Sequence, residues 1–352
     1  MTATQIPPAG FISAPDLVER FPFPFPAPTY RYSTNVEPAG SAVVTPTGQW
    51  GDVVVEVDSE YAAELAERAE ILQRDPTRYA LLPHMEVAGW DAMLCLMREL
   101  AAGYPGDFAL TVLTPCPDST GRVTPAYRWQ NAKLGIDVEF LWGDRTTIPE
   151  EPLAWIASQV QEDIVLLDQR DGVLYGDAGV VTFAADWSFG FDVGMTFLEI
   201  HGPVPRVHEE GVITRAHEFL KRLQPGEIYR RTNWTLTIGR RLDVSTDVYD
   251  VWGPDRAMIQ VVDDEAFGRL AHLRVEVQHL IRLAESGAVM FLIRTSMLPL
   301  ADVAQVEHWR TRTAEVLAEL PEDIADYKGI AKYRHRAATW LRDQAPPPLH
   351  DD

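Results

Sequence analysis

An imidazole placed where an apolar run breaks is well suited to binding a metal, and His201 is such a residue. It follows Phe197-Leu198-Glu199-Ile200, whose composition predicts a short strand, and precedes Gly202-Pro203-Val204-Pro205. The two prolines fix φ and remove two backbone donors, so the ring is held at one place in one orientation. A haem pocket needs that combination: an apolar wall for the macrocycle and one firmly oriented nitrogen. A buried histidine bonded to a backbone carbonyl has the same local signature, and spacing alone does not separate the two.

The second constellation is polar. Arg274, Glu276 and Gln278 occupy alternate positions of a predicted strand, so one face carries a cation, a carboxylate and an amide in a row. Arg231 and Asn233 share a face of another strand by the same parity, and Arg294 lies on a third. Such a row either faces solvent or lines a charged pocket. Leu273, Val275 and Val277 on the alternate positions suit the first reading, and both remain open. His272 and His279 are an odd number of positions apart, so they face opposite sides of their strand and cannot share one metal.

Composition narrows the chemistry. The 352 residues are 46% apolar and 10% aromatic, ample for a packed core. The formal charge of -21 argues against nucleic acid or an anionic membrane surface as partner. Two cysteines, Cys95 and Cys116, cannot build a four-cysteine iron–sulfur cluster or zinc site. There is no GxxxxGK[ST] loop, no GxGxxG between a strand and a helix, and no HExxH, GxSxG or EF-hand pattern. No run is long and apolar enough to span a bilayer and Met1 to Gly10 lacks a signal pattern, so a cytoplasmic protein is expected.

The positioning elements follow from periodicity. Residues 1–50 form an arm in which Phe21 to Pro26 alternates ring and proline, an extended path expected to lie across the body. Residues 51–343 read as one α+β domain, and the proline-rich 344–352 as a frayed tail. Strands are predicted at Gly51–Val57, Leu134–Trp142, Ile164–Leu167, Val173–Ala184, Tyr229–Ile238, Leu273–Leu283 and Gly287–Thr295. Helices are predicted from Ser59, at Val87–Leu100, Pro152–Gln161, Arg206–Leu223, Ala301–Leu320 and Gly329–Arg342. Adjacent strands joined by tight turns argue for an antiparallel sheet.

Five motifs in order carry a resemblance: IHGPVP (Ile200 to Pro205), RxNW (Arg231 to Trp234), LRVExQ (Leu273 to Gln278), SGAVxFxIRT (Ser286 to Thr295) and YKG (Tyr327 to Gly329). Over roughly Phe183 to Leu341 the chain resembles the haem-dependent oxidative N-demethylase alpha-subunit family. That resemblance implies a PAS-like antiparallel sheet cradling a b-type haem, with O₂ as co-substrate. It also implies a small amine substrate that releases formaldehyde, and electrons from NADPH through a separate flavin and iron–sulfur reductase. His201 would be the proximal iron ligand, with Arg231 and Glu276 catalytic on the distal side. Asn233, Arg274 and Arg294 would contact the haem, the two arginines through its propionates. The chain departs from the family's pattern at Gly202, commonly alanine, and at Val277, commonly arginine, which bears on the substrate more than on the haem. A haem-binding sensor or carrier without turnover is the rival reading.

Overall fold

The computed structural model describes residues 10–344, so the segment 345–352 and all but the last residue of Met1–Gly10 lie outside the described residues. In chain order the strands are β1 (Glu37–Pro38), β2 (Val43–Val44), β3 (Gln49–Trp50), β4 (Tyr79–Leu81), β5 (Phe108–Pro117) and β6 (Val123–Asn131). They continue as β7 (Ile136–Leu141), β8 (Asp163–Arg170), β9 (Val173–Val180), β10 (Ile228–Ile238), β11 (Ala271–Arg282) and β12 (Val289–Pro299). Seven of them make one sheet in the order β1-β10-β11-β12-β8-β9-β4, with antiparallel pairing throughout. A smaller sheet has the order β5-β6-β7. The fold is therefore α+β with antiparallel sheets.

β11 lies at the centre of the site's geometry because all twelve of its residues are buried. Its alternate positions serve two faces. Leu273, Val275 and Ile281 join Leu236, Leu292 and Leu298 on one face, packed beneath the helices Glu86–Gly103, Glu307–Glu319 and Arg334–Asp343. On the other face lie Arg274, Glu276, Gln278 and Leu280. There a third apolar cluster forms, in which Leu280, Val165 and Val289 meet Phe197, Val207, Ile213 and Leu220 from the connection between β9 and β10. That connection carries His201.

Several local expectations change. Phe197–Ile200 is a short helix, not a strand. Thr196 and Glu199 form a reciprocal capping box, the S/T-x-x-E signature that starts a helix. Gly51–Val57 pairs with no strand among the described residues: the Glu56 and Asp58 amides donate to side chains of Glu162 and Gln161 instead. The helix expected from Ser59 starts at Tyr61, and that expected from Arg206 starts only at Val212, after Arg206 and Gly211 both take positive φ. The predicted helix Ala301–Leu320 is broken into Leu300–Val303 and Glu307–Glu319. β5 and β6 had no counterpart in the prediction. Pro115 and Pro117 lie beside a register shift in an edge strand with much exposed surface, which erases the alternation a strand normally shows.

The aromatic arm lies against the C-terminal helices. Phe23 stacks on Trp309 at 5.3 Å between ring centroids, and Phe25 meets Trp234 of β10 edge-on at 4.9 Å. Further along, Asn35 donates its side-chain amide to the Thr232 carbonyl at 3.0 Å, which brings the arm over the exposed edge of β10.

On the helix Tyr61–Arg74, Arg68 is fully buried and fastens the turn before β8. It donates to the carbonyls of Ala157, Val160, Gln161 and Glu162, and pairs with Asp163 at 3.0 Å. Asp163 in turn accepts from the amides of Thr182 and Phe183, where the chain leaves β9 toward His201. Removing one partner of a buried ion pair strands the other, so Arg68→Met should cost about 3–5 kcal/mol. Urea denaturation of the purified variant measures this directly.

Candidate functional site

His201 closes the short helix Phe197–Ile200, and its Nδ1 lies 2.8 Å from the Phe197 carbonyl oxygen. A carbonyl can only accept, so Nδ1 carries the proton and Nε2 presents a lone pair. The ring packs on Phe197 with centroids 4.3 Å apart. Burial pushes its pKa down to about 4, Arg231 and His208 add to that, and the Phe197 bond opposes them. At neutral pH the imidazole is uncharged, fixed in tautomer and fixed in direction.

The polar row of β10 and β11 holds the other candidate residues, and its Arg231 is near enough to act on His201 electrostatically. In the register Arg231 stands opposite Gln278, Asn233 opposite Glu276 and Thr235 opposite Arg274, so all six side chains share a face. Arg231 donates Nη1–H to Gln278 Oε1 at 2.9 Å and Nε–H to the Thr34 carbonyl of the arm at 2.9 Å. Gln278 Nε2 donates to Glu276 Oε2 at 3.0 Å, and Asn233 Nδ2 donates to the same oxygen at 3.3 Å. Burial disfavours the charge on Arg231, against the attraction of Glu276. The solvent-facing reading of the row is therefore wrong: Glu276 and Gln278 are 7% and 5% exposed.

The predicted site residues do not all converge. Arg231, Asn233 and Glu276 meet on this face, and of these Arg231 lies within electrostatic reach of His201. Arg274 is on it too, but its guanidinium is spent below the surface, bonded to the carbonyls of Phe183 and Leu242 and to Thr295 Oγ1. Only Nε is left, 3.5 Å from Glu276 Oε1. Arg294 stands opposite Val277, hence on the other face, where it is locked to Glu64 at 2.8 Å and to Asp58. These contacts occupy the donors that a propionate would need. Strand parity already separated Arg274 from Arg294 once their register was known. Two contributors had no assigned role in the sequence: Thr34, whose carbonyl orients Arg231, and Lys328 within the YKG motif, which reaches Asn233.

The donor chemistry of His201 suits a haem iron. The Nδ1–H of His201 is bonded to a carbonyl and its Nε2 is free to ligate, the arrangement that metal-bound histidines use. An apolar wall is present in Phe197, Leu198, Val204 and Phe291. A neutral, oriented imidazole with a free Nε2 is a donor that a haem iron can take. The model of the family described as haem-dependent oxidative N-demethylase, alpha subunit-like, matches residues 47–338, and the chain belongs to that family. The family is haem-dependent and oxidative. No described helix is long and apolar enough to cross a membrane.

His201 shares its depressed pKa with His279 on the opposite face, which burial and Arg230 also push down to about 4. Between pH 6.5 and about 4 the unfolded chain takes up protons at both rings that the native protein refuses. Stability of the haem-free protein should thus fall as pH drops through that window. In His279→Leu the slope should flatten because one of the two titrating rings is gone, and among the described residues neither ring nitrogen of His279 has a hydrogen-bond partner to lose. Urea melts at several pH values read out both effects.

Proposed function

We propose that this protein is the haem-binding component of an oxidative N-demethylase, with a b-type haem held in a PAS-like cradle between His201 and the polar face of β10 and β11. The substrate is a small methylated amine. With O₂, two electrons and two protons, the C–N bond to one methyl group is broken. One oxygen atom leaves in formaldehyde and the other in water. The electrons come from NADPH through a separate flavin and iron–sulfur protein. When bound, the haem supplies the dioxygen activation that no side chain can provide.

The chain's own residues bind and orient. His201 would ligate through Nε2, and its bond to the Phe197 carbonyl keeps that nitrogen basic and aimed. Arg231 supplies a fixed positive charge toward which negative charge can develop. Glu276 is the counter-charge: its Oε1 can anchor the ammonium of the substrate or take its proton. The observation that carries this reading is a neutral imidazole tied at Nδ1, within electrostatic reach of Arg231 in the polar row that holds Glu276, in a chain of this family.

Protein expressed with adequate haem should show a Soret band that is lost in His201→Ala; unchanged pigment in that variant would remove His201 as ligand. With electrons supplied, O₂-dependent formaldehyde release separates an enzyme from a sensor, which would bind gas stably without turnover. Glu276→Gln should raise KM for the amine about tenfold or more, the scale of a lost charge-assisted hydrogen bond.

A further inference from the structure

Lys328 has no part in the chemistry above, yet the loop that carries it crosses the site. It follows the helix Glu322–Tyr327 and precedes Gly329, whose φ of +67° turns the chain back. Thr235 Oγ1 donates to the Lys328 carbonyl at 3.2 Å, and Lys328 Nζ donates to the Trp234 carbonyl at 2.6 Å. Beyond residue 230 this edge of β10 has no strand partner among the described residues, so the loop covers it.

The same Nζ lies 3.4 Å from Asn233 Oδ1. An ammonium only donates, so it settles which way the carboxamide points: oxygen toward Lys328, nitrogen toward Glu276. Arg231 does the same for Gln278, donating to Oε1 and leaving Nε2 to face the same carboxylate. If either amide turned over, its carbonyl oxygen would meet Glu276 Oε2 and be repelled. With both in place, Oε2 accepts two amide hydrogens while Oε1 has, among the described residues, only the Arg274 Nε, at 3.5 Å and without a hydrogen bond. One oxygen of the carboxylate is saturated and the other is open.

We propose that Lys328 and Arg231 are positioning residues that act through Asn233 and Gln278, holding Glu276 with Oε1 open to an ammonium that keeps at least one N–H. This inference rests on the reading that the site takes a cationic amine. Burial pushes the Lys328 pKa down to about 8, Glu276 opposes that and Arg231 adds to it, so the cation persists at neutral pH.

The test has one arm that needs no substrate. In protein labelled with ¹⁵N at asparagine and glutamine, reduced under carbon monoxide so that any haem is diamagnetic, side-chain amide exchange is followed by NMR. Lys328→Met should speed exchange of the Asn233 amide about tenfold and leave Gln278 alone; Arg231→Met should do the reverse. Lys328→Arg, which keeps a donor-only cation, should resemble wild type. Unchanged Asn233 exchange in folded Lys328→Met overturns the proposal. The second arm is calorimetric titration with trimethylammonium, with tetramethylammonium, which has no N–H, as the comparison. Lys328→Met should weaken trimethylammonium binding about tenfold, with no further loss in an Asn233→Ala background. An equal loss in both backgrounds would mean that Lys328 only caps the Trp234 carbonyl, and would overturn the proposal. A wild type that binds no ammonium would sink the proposed function and the substrate half of this inference, while the amide exchange still judges the positioning half.

Discussion

A carboxylate cannot be held in a nearly dry sheet unless something answers its charge, and Glu276 sets the terms for everything around it. Stripping water from an ionised side chain costs several kcal/mol even after the protein relaxes. The answer here is not a single ion pair. Two amides donate to one oxygen, and each amide is oriented by a cation one residue further out. The nearest guanidinium, Arg274, is mostly committed to backbone carbonyls and contributes at longer range. Such an arrangement satisfies one carboxylate oxygen and leaves the other, among the described residues, without a hydrogen bond.

That requirement explains the traffic over β10. An edge strand exposes unpaired backbone groups, and proteins cover or blunt such edges. Two separate segments do so here. The arm brings the Thr34 carbonyl to Arg231 and Asn35 to Thr232, and the loop at Lys328 takes the Trp234 carbonyl. Each cover also orients a member of the polar row, so edge protection and site assembly are one set of contacts. The aromatic packing of Phe23 and Phe25 on Trp309 and Trp234 anchors the arm that makes this possible.

His201 is held under a different constraint. Its wall is apolar, and burial there favours the uncharged ring. The chain meets this with local geometry: a capping box starts a helix of one turn, and the helix brings the Phe197 carbonyl to Nδ1. The network at Arg68 and Asp163 holds the far end of the same connection where it leaves β9. The neutral imidazole and the buried carboxylate are therefore held in place by opposite physics.

The sequence alone determined what depends on neighbours along the chain. Alternation placed Arg274, Glu276 and Gln278 on one face and Arg231 with Asn233 on another strand, and the long strands and antiparallel pairing followed from the same periodicity. Even the helix at Phe197 was written there, in Thr196 and Glu199, although an apolar run suggested a strand. Tertiary structure decided what depends on register and on distant segments. Whether the polar row meets water or a pocket is set by the connection folded over it, and parity within one strand says nothing of that. Arg274 and Arg294 are alike in sequence but fall on opposite faces, because β11 and β12 pair with Val277 across from Arg294. The orientation of two amides by Thr34-anchored Arg231 and by Lys328 joins residues nearly three hundred positions apart. Local pattern carries no information about such contacts, since their energy exists only once the chain has closed on itself.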